Sequence, residues 1–288
     1  MKSNSKNCLA IFYLSYIPYG INHLKDFLES YIKYKPYIEH ELIILFNGYS
    51  NHLELEVFKN SLKESSIEYN ILLSPEKFDI GSYFFAASQN KTKYQVFLNT
   101  YSRFLHSNWL SAFYTNIQKD DVGVIGCTGA WGDFGESRIY GTNVYKRLKS
   151  WIVYTYNFPK PIGPHLRTNA FCINREIFLS LEYRYPKPFW LLSLKWGFKE
   201  TKFKTLCFEH GNFNMTKQII KKGLKVLIID KSGNPYNVEN WRDSNIYWNG
   251  DQENLLIRDN HTAFYTNASN EEKEGFKYRA WGIKKHYE

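Results

Sequence analysis

The sequence predicts an α/β protein, a three-layer sandwich around a mostly parallel sheet that is followed by an irregular C-terminal extension. Strand-like and helix-like runs alternate over residues 8–130, as they do where helical crossovers join parallel strands. The strand-like runs are almost continuously apolar, which is typical of strands covered on both faces. After Gly129 the alternation weakens, and residues 231–288 are polar and aromatic without clear strands.

The first five predicted elements alternate strictly between strand and helix. Residues 8–14 (CLAIFYL) form an apolar run of strand length, and residues 22–34 then place apolar side chains at helical spacing. Residues 41–46 (ELIILF) are a second buried strand, which ends at a turn-forming Asn-Gly pair. Residues 53–62 have an amphipathic helical pattern, and residues 69–73 form a short third strand.

The same alternation continues for four more elements. A Ser-Pro pair precedes the helical segment 81–88, and residues 94–98 (YQVFL) form the fourth strand. Residues 109–117 suit a helix, and residues 122–127 (VGVIGC) suit a strand that closes the first half. Each strand is therefore separated from the next by a helix, as parallel pairing requires.

Regular structure returns after residues 129–164, a segment rich in Gly, Tyr and Lys with weak periodicity. Residues 168–174 (TNAFCIN) predict a strand and residues 175–181 a short helix. Residues 214–222 predict a helix, because an Asn can cap its first turn and a Gly follows its last. Residues 224–229 (LKVLII) are the last buried strand.

Composition limits the class of partner. The formal net charge is +9, and aromatic residues make up 18% of the chain. A basic balance favours an anionic partner, which is nucleic acid, a membrane surface or a phosphorylated small molecule. The lysines are spread along the chain without a dense patch or a nucleic-acid recognition motif, which disfavours nucleic acid. Basic clusters beside aromatic residues fit peripheral contact with an anionic membrane better.

Targeting and redox features point to the cytoplasm. No run approaches 18 consecutive apolar residues, so we expect no transmembrane helix, and the first residues lack the apolar core of a secretory signal. The four cysteines are scattered without a C-x-x-C pair, which argues against a zinc site and a disulfide framework. We therefore expect a cytoplasmic protein that can contact the inner face of the membrane.

Polar or turn-forming residues follow three of the predicted parallel strands. They are Ser15 and Tyr16 after the first strand, Asn47 and Gly48 after the second, and residues 99–102 after the fourth. In open α/β sheets ligands bind beyond the carboxyl ends of the strands, so these residues are candidates for a binding site. The alternative is that the strands simply end in polar turns.

The order of these motifs is more informative than any one of them. Asn47 ends the second strand, Asp79 and Gly81 open the third helix, and Asn99 to Ser102 end the fourth strand. This order resembles the nucleotide-sugar half of GT-A fold glycosyltransferases and is most similar to the family 2-like bacterial enzymes. The resemblance implies that Asn47 contacts the nucleobase, that Asp79 and Asn47 hold the nucleoside, and that Gly81 belongs to the donor site. It also implies that Asn99 and Ser102 line the diphosphate site.

The second half of the chain carries the resemblance further. The strand 168–174 is similar to the family's strand beside the acceptor site. The stretch 208–211 (FEHG), followed by a helix and a strand, is similar to the place where members carry a catalytic carboxylate. The resemblance covers roughly 8–130 and 166–230, and it implies that Glu209 is the catalytic base.

The chain departs from the family at the end of the fourth strand. The family has an Asp-x-Asp type motif there that holds a divalent metal and the diphosphate, whereas this chain has the neutral run Asn-Thr-Tyr-Ser at 99–102. Neutral amides and hydroxyls hold Mg²⁺ and Mn²⁺ weakly, so we assign no metal ligand. The absence of the carboxylate pair also weakens the expectation of a Mg²⁺ or Mn²⁺ cofactor. Either cations such as Arg103 and Arg167 neutralise the diphosphate instead, or the protein has lost catalysis.

An inverting sugar transfer needs one carboxylate to take the proton of the acceptor hydroxyl. Glu209 is the first candidate, although the macrodipole also favours a carboxylate at the start of a helix. Its neighbour His210 could tune that carboxylate or contact the acceptor. Asp133 is the second candidate, on a loop that could close over substrate, and Asp251 is the third.

Tryptophans separated by polar clusters suit a platform for a glycan, because sugar faces stack on aromatic rings. Trp131 and Trp248, with Asp251, are the candidate acceptor-binding residues of this type. The alternative is that the C-terminal segment packs its aromatic residues on the core.

The predicted function is that of an inverting hexosyltransferase. It would move a sugar from a nucleotide-diphospho donor to a glycan or lipid-linked acceptor in bacterial surface polysaccharide synthesis. The alternative is a catalytically inactive GT-A-like protein that binds a nucleotide or a glycan. We expect a transferase domain over 1–230, with a donor half at 8–130 and an acceptor half at 131–230. Residues 231–288 would pack on the site or cover it.

Overall fold

The computed structural model describes residues 8–75, 78–132, 163–184 and 200–282, together with the single positions 144, 151, 155, 157 and 158. Asp133 lies outside these residues. In the described ranges, the helices are α1 (Ile21–Lys33), α2 (His52–Lys63), α3 (Asp79–Gln89), α4 (Trp109–Ile117), α5 (Arg175–Leu179), α6 (Glu200–His210), α7 (Met215–Lys221), α8 (Asn260–Asn267) and α9 (Asn270–Trp281). The described helices include none that is long and apolar enough to cross a bilayer.

The strands follow the alternation predicted from the sequence over the first half. In chain order they are β1 (Leu9–Tyr16), β2 (Glu41–Asn47), β3 (Asn70–Leu73), β4 (Tyr94–Leu98), β5 (Arg103–Phe104), β6 (Val122–Gly126), β7 (Gly129–Ala130), β8 (His165–Leu166), β9 (Ala170–Asn174), β10 (Lys225–Ile229), β11 (Pro235–Tyr236) and β12 (Ile257–Arg258). The predicted α/β class is therefore confirmed.

Eight of these strands form one mostly parallel sheet with the order β3-β2-β1-β4-β9-β6-β10-β11. Strands β1 to β4 are parallel, whereas β9 runs antiparallel between β4 and β6, and β11 is antiparallel at the edge. The chain leaves β1 toward β2 on one side and returns to β4 on the other. The carboxyl ends of β1 and β4 therefore form the topological switch point, where ligands bind in open sheets.

The core lies in two layers, one on each face of the sheet. Alternate residues of β1 show why, because Leu9, Ile11 and Tyr13 pack into one layer while Ala10 and Phe12 pack into the other. Helices α1, α2 and α4 cover the first layer, and α3 and α5 to α7 cover the second. Burial on both faces explains the near-continuous apolar runs of the strands.

The C-terminal extension contains more regular structure than the sequence predicts. Helices α8 and α9 each begin with a capping box, formed by Asp259 with Thr262 and by Ser269 with Glu272. Trp281, at the end of α9, is almost completely buried in the core layer that α3 also covers. The extension is thus packed on the sandwich through its aromatic residues.

Candidate active site

A cavity of about 200 Å³ opens at the carboxyl ends of β1, β2 and β4, at the switch point of the sheet. Its described lining consists of Leu14, Tyr16, Tyr19, Asn47, Phe78, Asp79, Asn99, Thr100 and Tyr101. The register explains this convergence, since Tyr16 lies beside Asn47 and Tyr13 lies beside Leu98. Three residues that the sequence analysis placed in the donor site, Asn47, Asp79 and Asn99, therefore line one cavity.

One wall of the cavity is aromatic. The Tyr16 and Tyr19 rings meet edge to face at 4.7 Å, and Tyr19 lies 5.3 Å from the ring of Tyr101. Gly48 permits this arrangement, because its φ is +76° and a Cβ there would lie 2.5 Å from the Tyr16 ring. Such a wall suits contact with a planar ring.

Asn47 is held beneath this wall by the start of α3. It is 2% exposed, and its Nδ2 donates a hydrogen bond to Ser82 Oγ. Ser82 in turn donates to the carbonyl of Phe78, and Ser74 donates to Ser82. Gly81 is buried in the same first turn of α3 and does not line the cavity.

The side-chain oxygens of the turn at 99–102 are hydrogen-bonded within the protein. Asn99 Oδ1 accepts hydrogen bonds from Tyr101 N and Ser102 Oγ, at 3.1 and 3.0 Å. Thr100 Oγ1 donates to the carbonyl of Leu14. Ser102 is fully buried and lies outside the lining, contrary to its expected contact with the donor. These side chains are uncharged and already hydrogen-bonded within the protein, so they do not fit a Mg²⁺ or Mn²⁺ site. Within the described ranges no cluster of three His, Cys, Asp or Glu side chains could hold a metal.

Asp79 and Glu209 form an acidic pair beside the cavity. Asp79 is the first residue of α3, lines the cavity, and accepts a hydrogen bond from the Ile80 amide. The Glu209 side chain is 18% exposed and accepts a hydrogen bond from Thr168 Oγ1. Burial and the negative charge of Asp79 raise the pKa of Glu209 to about 8, and burial raises the pKa of Asp79.

The position of Glu209 in its helix differs from the prediction. The sequence analysis placed it before a helix, but it lies in the last turn of α6. The macrodipole disfavours a carboxylate there, so it cannot explain why an acid occupies this position. The side chain is mostly buried.

Arg167 is ion-paired and does not extend into the cavity lining. Its guanidinium lies 2.7 Å from Asp259 and 4.4 Å from the centre of the Tyr247 ring, and its side chain is 9% exposed. Arg103 likewise has a carboxylate partner, Asp26, at 3.2 Å. Both arginines that the sequence offered as substitutes for the metal thus have their charge matched within the protein.

His210 lies beside Glu209, and His165 packs against His210 in turn. His210 Nε2 lies 3.8 Å from Glu209 Oε2, and its ring meets the His165 ring edge to face at 4.5 Å. Burial lowers the pKa of His210 well below its usual value and lowers the pKa values of His165 and His261 to about 4. All three are therefore neutral at pH 7.

The candidate acceptor residues in the C-terminal half pack on the core or lie on the surface. Trp131 is 8% exposed, donates from Nε1 to the Val238 carbonyl and packs against Trp281. Trp248 is 5% exposed and stacks on Tyr247 at 4.7 Å. Asp251 has a side chain that is 90% exposed and lies 3.4 Å from Lys273. Packing on the core, the alternative left open by the sequence, explains both tryptophans.

Tyr83 is a site residue that the sequence analysis missed. It lies four residues after Asp79 on α3, so the two share a helix face. Its hydroxyl is fully buried and has no hydrogen-bond partner among the described residues. Burial, followed by the charges of Asp79 and Glu209, raises the pKa of Tyr83. Helical spacing from Asp79 was the available signal.

Fold and site together define an α/β protein with a ligand cavity at the switch point of its sheet and a buried acidic pair beside it. No protein-family model matches the chain, and no curated protein matches it in sequence.

Three solved structures are similar in fold. GalNAc-T7 with UDP, GalNAc and Mn²⁺ has a TM-score of 0.48 and 16% identity, over 95% of this chain and 52% of that chain. The mannosyltransferase PcManGT from Pyrobaculum calidifontis, in complex with GDP-Man and Mn²⁺, has a TM-score of 0.39 and 9% identity. The match covers 60% of this chain and 46% of that chain. CMP:2-keto-3-deoxy-manno-octonic acid synthetase complexed with CTP has a TM-score of 0.40 and 7% identity. The match covers 77% of this chain and 88% of that chain. The chain spans about half the length of the first two, and likeness at this level assigns neither a reaction nor a substrate.

Proposed function

We propose that the chain is a glycosyltransferase that moves a sugar from a nucleotide-diphospho donor to a hydroxyl of a glycan or lipid-linked acceptor. The observation that carries this proposal is the acidic pair of Asp79 and Glu209 beside a cavity at the switch point of the sheet. The order of sequence motifs supports the same function. Surface polysaccharide synthesis in a bacterium is the setting that we propose.

The residues take the following roles in this proposal. The tyrosine wall and Asn47 hold the nucleoside, and Asn99 lies beside the diphosphate. Glu209 takes the proton of the acceptor hydroxyl as that oxygen bonds to the anomeric carbon. The bond from this carbon to the diphosphate oxygen breaks, and its electron pair leaves with the diphosphate, which inverts the configuration. Glu209 acts in its ionised form, which its pKa of about 8 makes half populated at about pH 8.

The domain division follows from the same proposal. Residues 1–230 are the transferase domain, and residues 231–288 support the site from outside the sandwich. The ion pair of Arg167 with Asp259 joins the two parts. Asp133, which lies outside the described residues, is retained as a second candidate base.

The first experiment is a thermal-shift screen of UDP, GDP, CDP and dTDP sugars, with and without Mn²⁺. We expect one nucleotide class to raise the Tm, and release of its nucleoside diphosphate to follow. Glu209→Gln should keep nucleotide binding and lower the rate by about 100-fold or more, the usual contribution of a general base. Failure of every nucleotide class to bind would remove the proposal.

A second candidate function is binding without turnover. The neutral turn at 99–102 and the matched charges of Arg103 and Arg167 favour it, because a departing diphosphate needs positive charge and these described groups do not offer it. Nucleotide binding without any release of nucleoside diphosphate by the wild-type protein would decide for this candidate.

A further inference from the structure

A network of buried hydrogen bonds leads from the C-terminal segment to the wall of the cavity. It begins at Asp259, whose Oδ2 accepts a hydrogen bond from Arg167 Nη2 at 2.7 Å. Nη1 of the same guanidinium donates to Thr128 Oγ1 at 3.2 Å. Thr128 Oγ1 donates in turn to Asn169 Oδ1 at 2.8 Å, and both side chains are buried. The hydroxyl of Thr128 therefore accepts one hydrogen bond and donates another.

The network ends at Asn99, which lines the cavity. The carbonyl oxygen of Asn169 accepts a hydrogen bond from Asn99 N at 2.8 Å. The Ser102 hydroxyl lies 3.0 Å from this carbonyl oxygen and 3.0 Å from Asn99 Oδ1. The main chain of Asn169 thus holds Asn99, while the side chain of Asn169 is bonded to Thr128.

These contacts fix which way the amide of Asn99 faces. The backbone nitrogen of Tyr101 lies 3.1 Å from Asn99 Oδ1. Because a backbone N–H can only donate, the atom that it contacts must be the amide oxygen, and the NH₂ group lies on the other side of the amide. Asn99 is partly exposed and lines the cavity, so its NH₂ group can donate to an oxygen of a bound molecule. An ionised carboxylate in its place could only accept.

We propose, building on the function proposed above, that the NH₂ group of Asn99 donates a hydrogen bond to an oxygen of the nucleotide-diphospho sugar, and that Thr128 is a positioning residue for this contact. Asn99 binds the ligand directly, whereas Thr128 acts on it through Asn169. The ion pair of Arg167 with Asp259 then ties the ligand contact to the C-terminal segment.

The dual role of the Thr128 hydroxyl explains why its loss would reach the cavity. Without it, Arg167 Nη1 and Asn169 Oδ1 would each lose a hydrogen bond in a buried place. A buried polar group without a partner is costly, so we expect the Asn169 side chain to turn toward another donor. Its carbonyl oxygen holds Asn99, so this movement would displace the amide that faces the ligand.

The first test is calorimetric titration of the full chain with UDP-glucose and GDP-mannose, with and without Mn²⁺. Thr128→Val keeps the shape of the side chain, and its Kd should rise about fivefold, the factor that one neutral hydrogen bond is worth. Thr128→Ser restores the hydroxyl and should stay within about twofold of the wild type. Thr216→Val is the matched control, because Thr216 is buried and accepts a hydrogen bond from Leu166 N outside the network. It should lower the Tm and keep the wild-type Kd.

Asn99→Asp tests the direction of the ligand contact. It keeps an oxygen for the Tyr101 backbone nitrogen and replaces the NH₂ group by a second oxygen. Its Kd should rise by about tenfold or more, because a donor to a charged ligand is lost. Asn60→Asp, exposed on α2, adds the same charge elsewhere and should keep the wild-type Kd.

A double-mutant cycle separates positioning from a general loss of stability. In the Asn99→Ala background, Thr128→Val should change the Kd by less than about twofold, because Thr128 acts on the ligand only through Asn99. If Thr128→Val does not fold, Arg167→Lys takes its place in the cycle. A lysine lacks the planar fork that binds Asp259 and Thr128 together.

Unchanged or tighter binding by Asn99→Asp, with or without Mn²⁺, would overturn the donor role and leave the proposed function standing. An unchanged Kd in Thr128→Val, or an equal effect of this substitution in the Asn99→Ala background, would overturn the positioning role in the same way. If the wild-type protein binds neither UDP-glucose nor GDP-mannose, nor the CDP and dTDP sugars, the inference and the proposed function fall together.

Discussion

Replacing Glu209 by glutamine should make the protein more stable at alkaline pH. Glutamine keeps the size of the side chain and an oxygen that can accept the hydrogen bond from Thr168. It removes a charge that is mostly buried and lies beside a second acid, Asp79. The wild-type protein must ionise this group when the pH exceeds its pKa, whereas the variant has nothing to ionise.

The sign and size of the effect follow from the pKa of Glu209. That pKa rises from 4.5 in the unfolded chain to about 8 in the folded protein. Between these values the folded state keeps a proton that the unfolded state has released, so stability falls as the pH rises. At about 1.4 kcal/mol per pKa unit, the full shift corresponds to on the order of 5 kcal/mol. Water around the partly exposed side chain reduces this, and we expect a difference of about 2 kcal/mol or more above pH 8.

The measurement is urea unfolding at pH 5, 6, 7, 8 and 9, followed by tryptophan fluorescence. The wild-type midpoint should fall between pH 5 and 8, while that of Glu209→Gln stays closer to constant, with the same dependence on urea. Glu29→Gln, exposed on α1, should follow the wild type. Parallel curves for Glu209→Gln and the wild type over the whole range would refute the assignment of a raised pKa to Glu209.

Three other substitutions test single features of the site. Tyr83→Phe should change the free energy of unfolding by less than about 0.5 kcal/mol, because the hydroxyl it removes makes no hydrogen bond with a described residue; a loss above 1.5 kcal/mol in urea would reveal a hidden partner. Gly48→Ala should lower the free energy of unfolding by about 1–2 kcal/mol and raise the Kd for nucleotide, because its Cβ would meet the Tyr16 ring at a positive φ. An unchanged Tm would contradict this prediction. Asp259→Asn should lower the apparent pKa of Glu209 by about one unit, because Arg167 then acts on Glu209 alone; the pH at which stability falls should shift down, and an unshifted profile counts against it.

The sandwich could be predicted from the sequence because its strands are buried on both faces. The run ELIILF has no polar interruption, and the structure places β2 there within one residue of the prediction. The antiparallel direction of β9 could not be predicted, since an apolar strand has the same pattern in either direction. Helix α6 was missed because its apolar residues do not form a clear stripe. The capping box of Ser269 and Glu272 was a readable signal for α9 that the sequence analysis did not use.

The cavity was predictable for a topological reason, and its charge balance was not. Asn47 and Asn99 could be grouped because the carboxyl ends of parallel strands meet at one edge of a sheet, whereas Asp79 was added by the resemblance. The partner of Arg167 is Asp259, which lies 92 residues further along the chain in a segment without a strand pattern. An ion pair between such distant residues leaves no local pattern in the sequence. The sequence analysis therefore assigned the charge of Arg167 to a ligand, whereas Asp259 already matches it in the folded protein.

That distant ion pair also sets the chemistry of the proposed base. Arg167 alone would draw the pKa of Glu209 down, but Asp259 lies against the same guanidinium and cancels part of its field. Arg167 in turn holds the pKa of Asp259 below its usual range, although burial opposes this. The side chain of Asp259 also caps α8, so its position is fixed by the fold of the C-terminal segment. The helix start at Asp259 therefore acts on Glu209 through Arg167, as a smaller influence than burial and Asp79, and a C-terminal segment that only packed its tryptophans on the core would not have this effect.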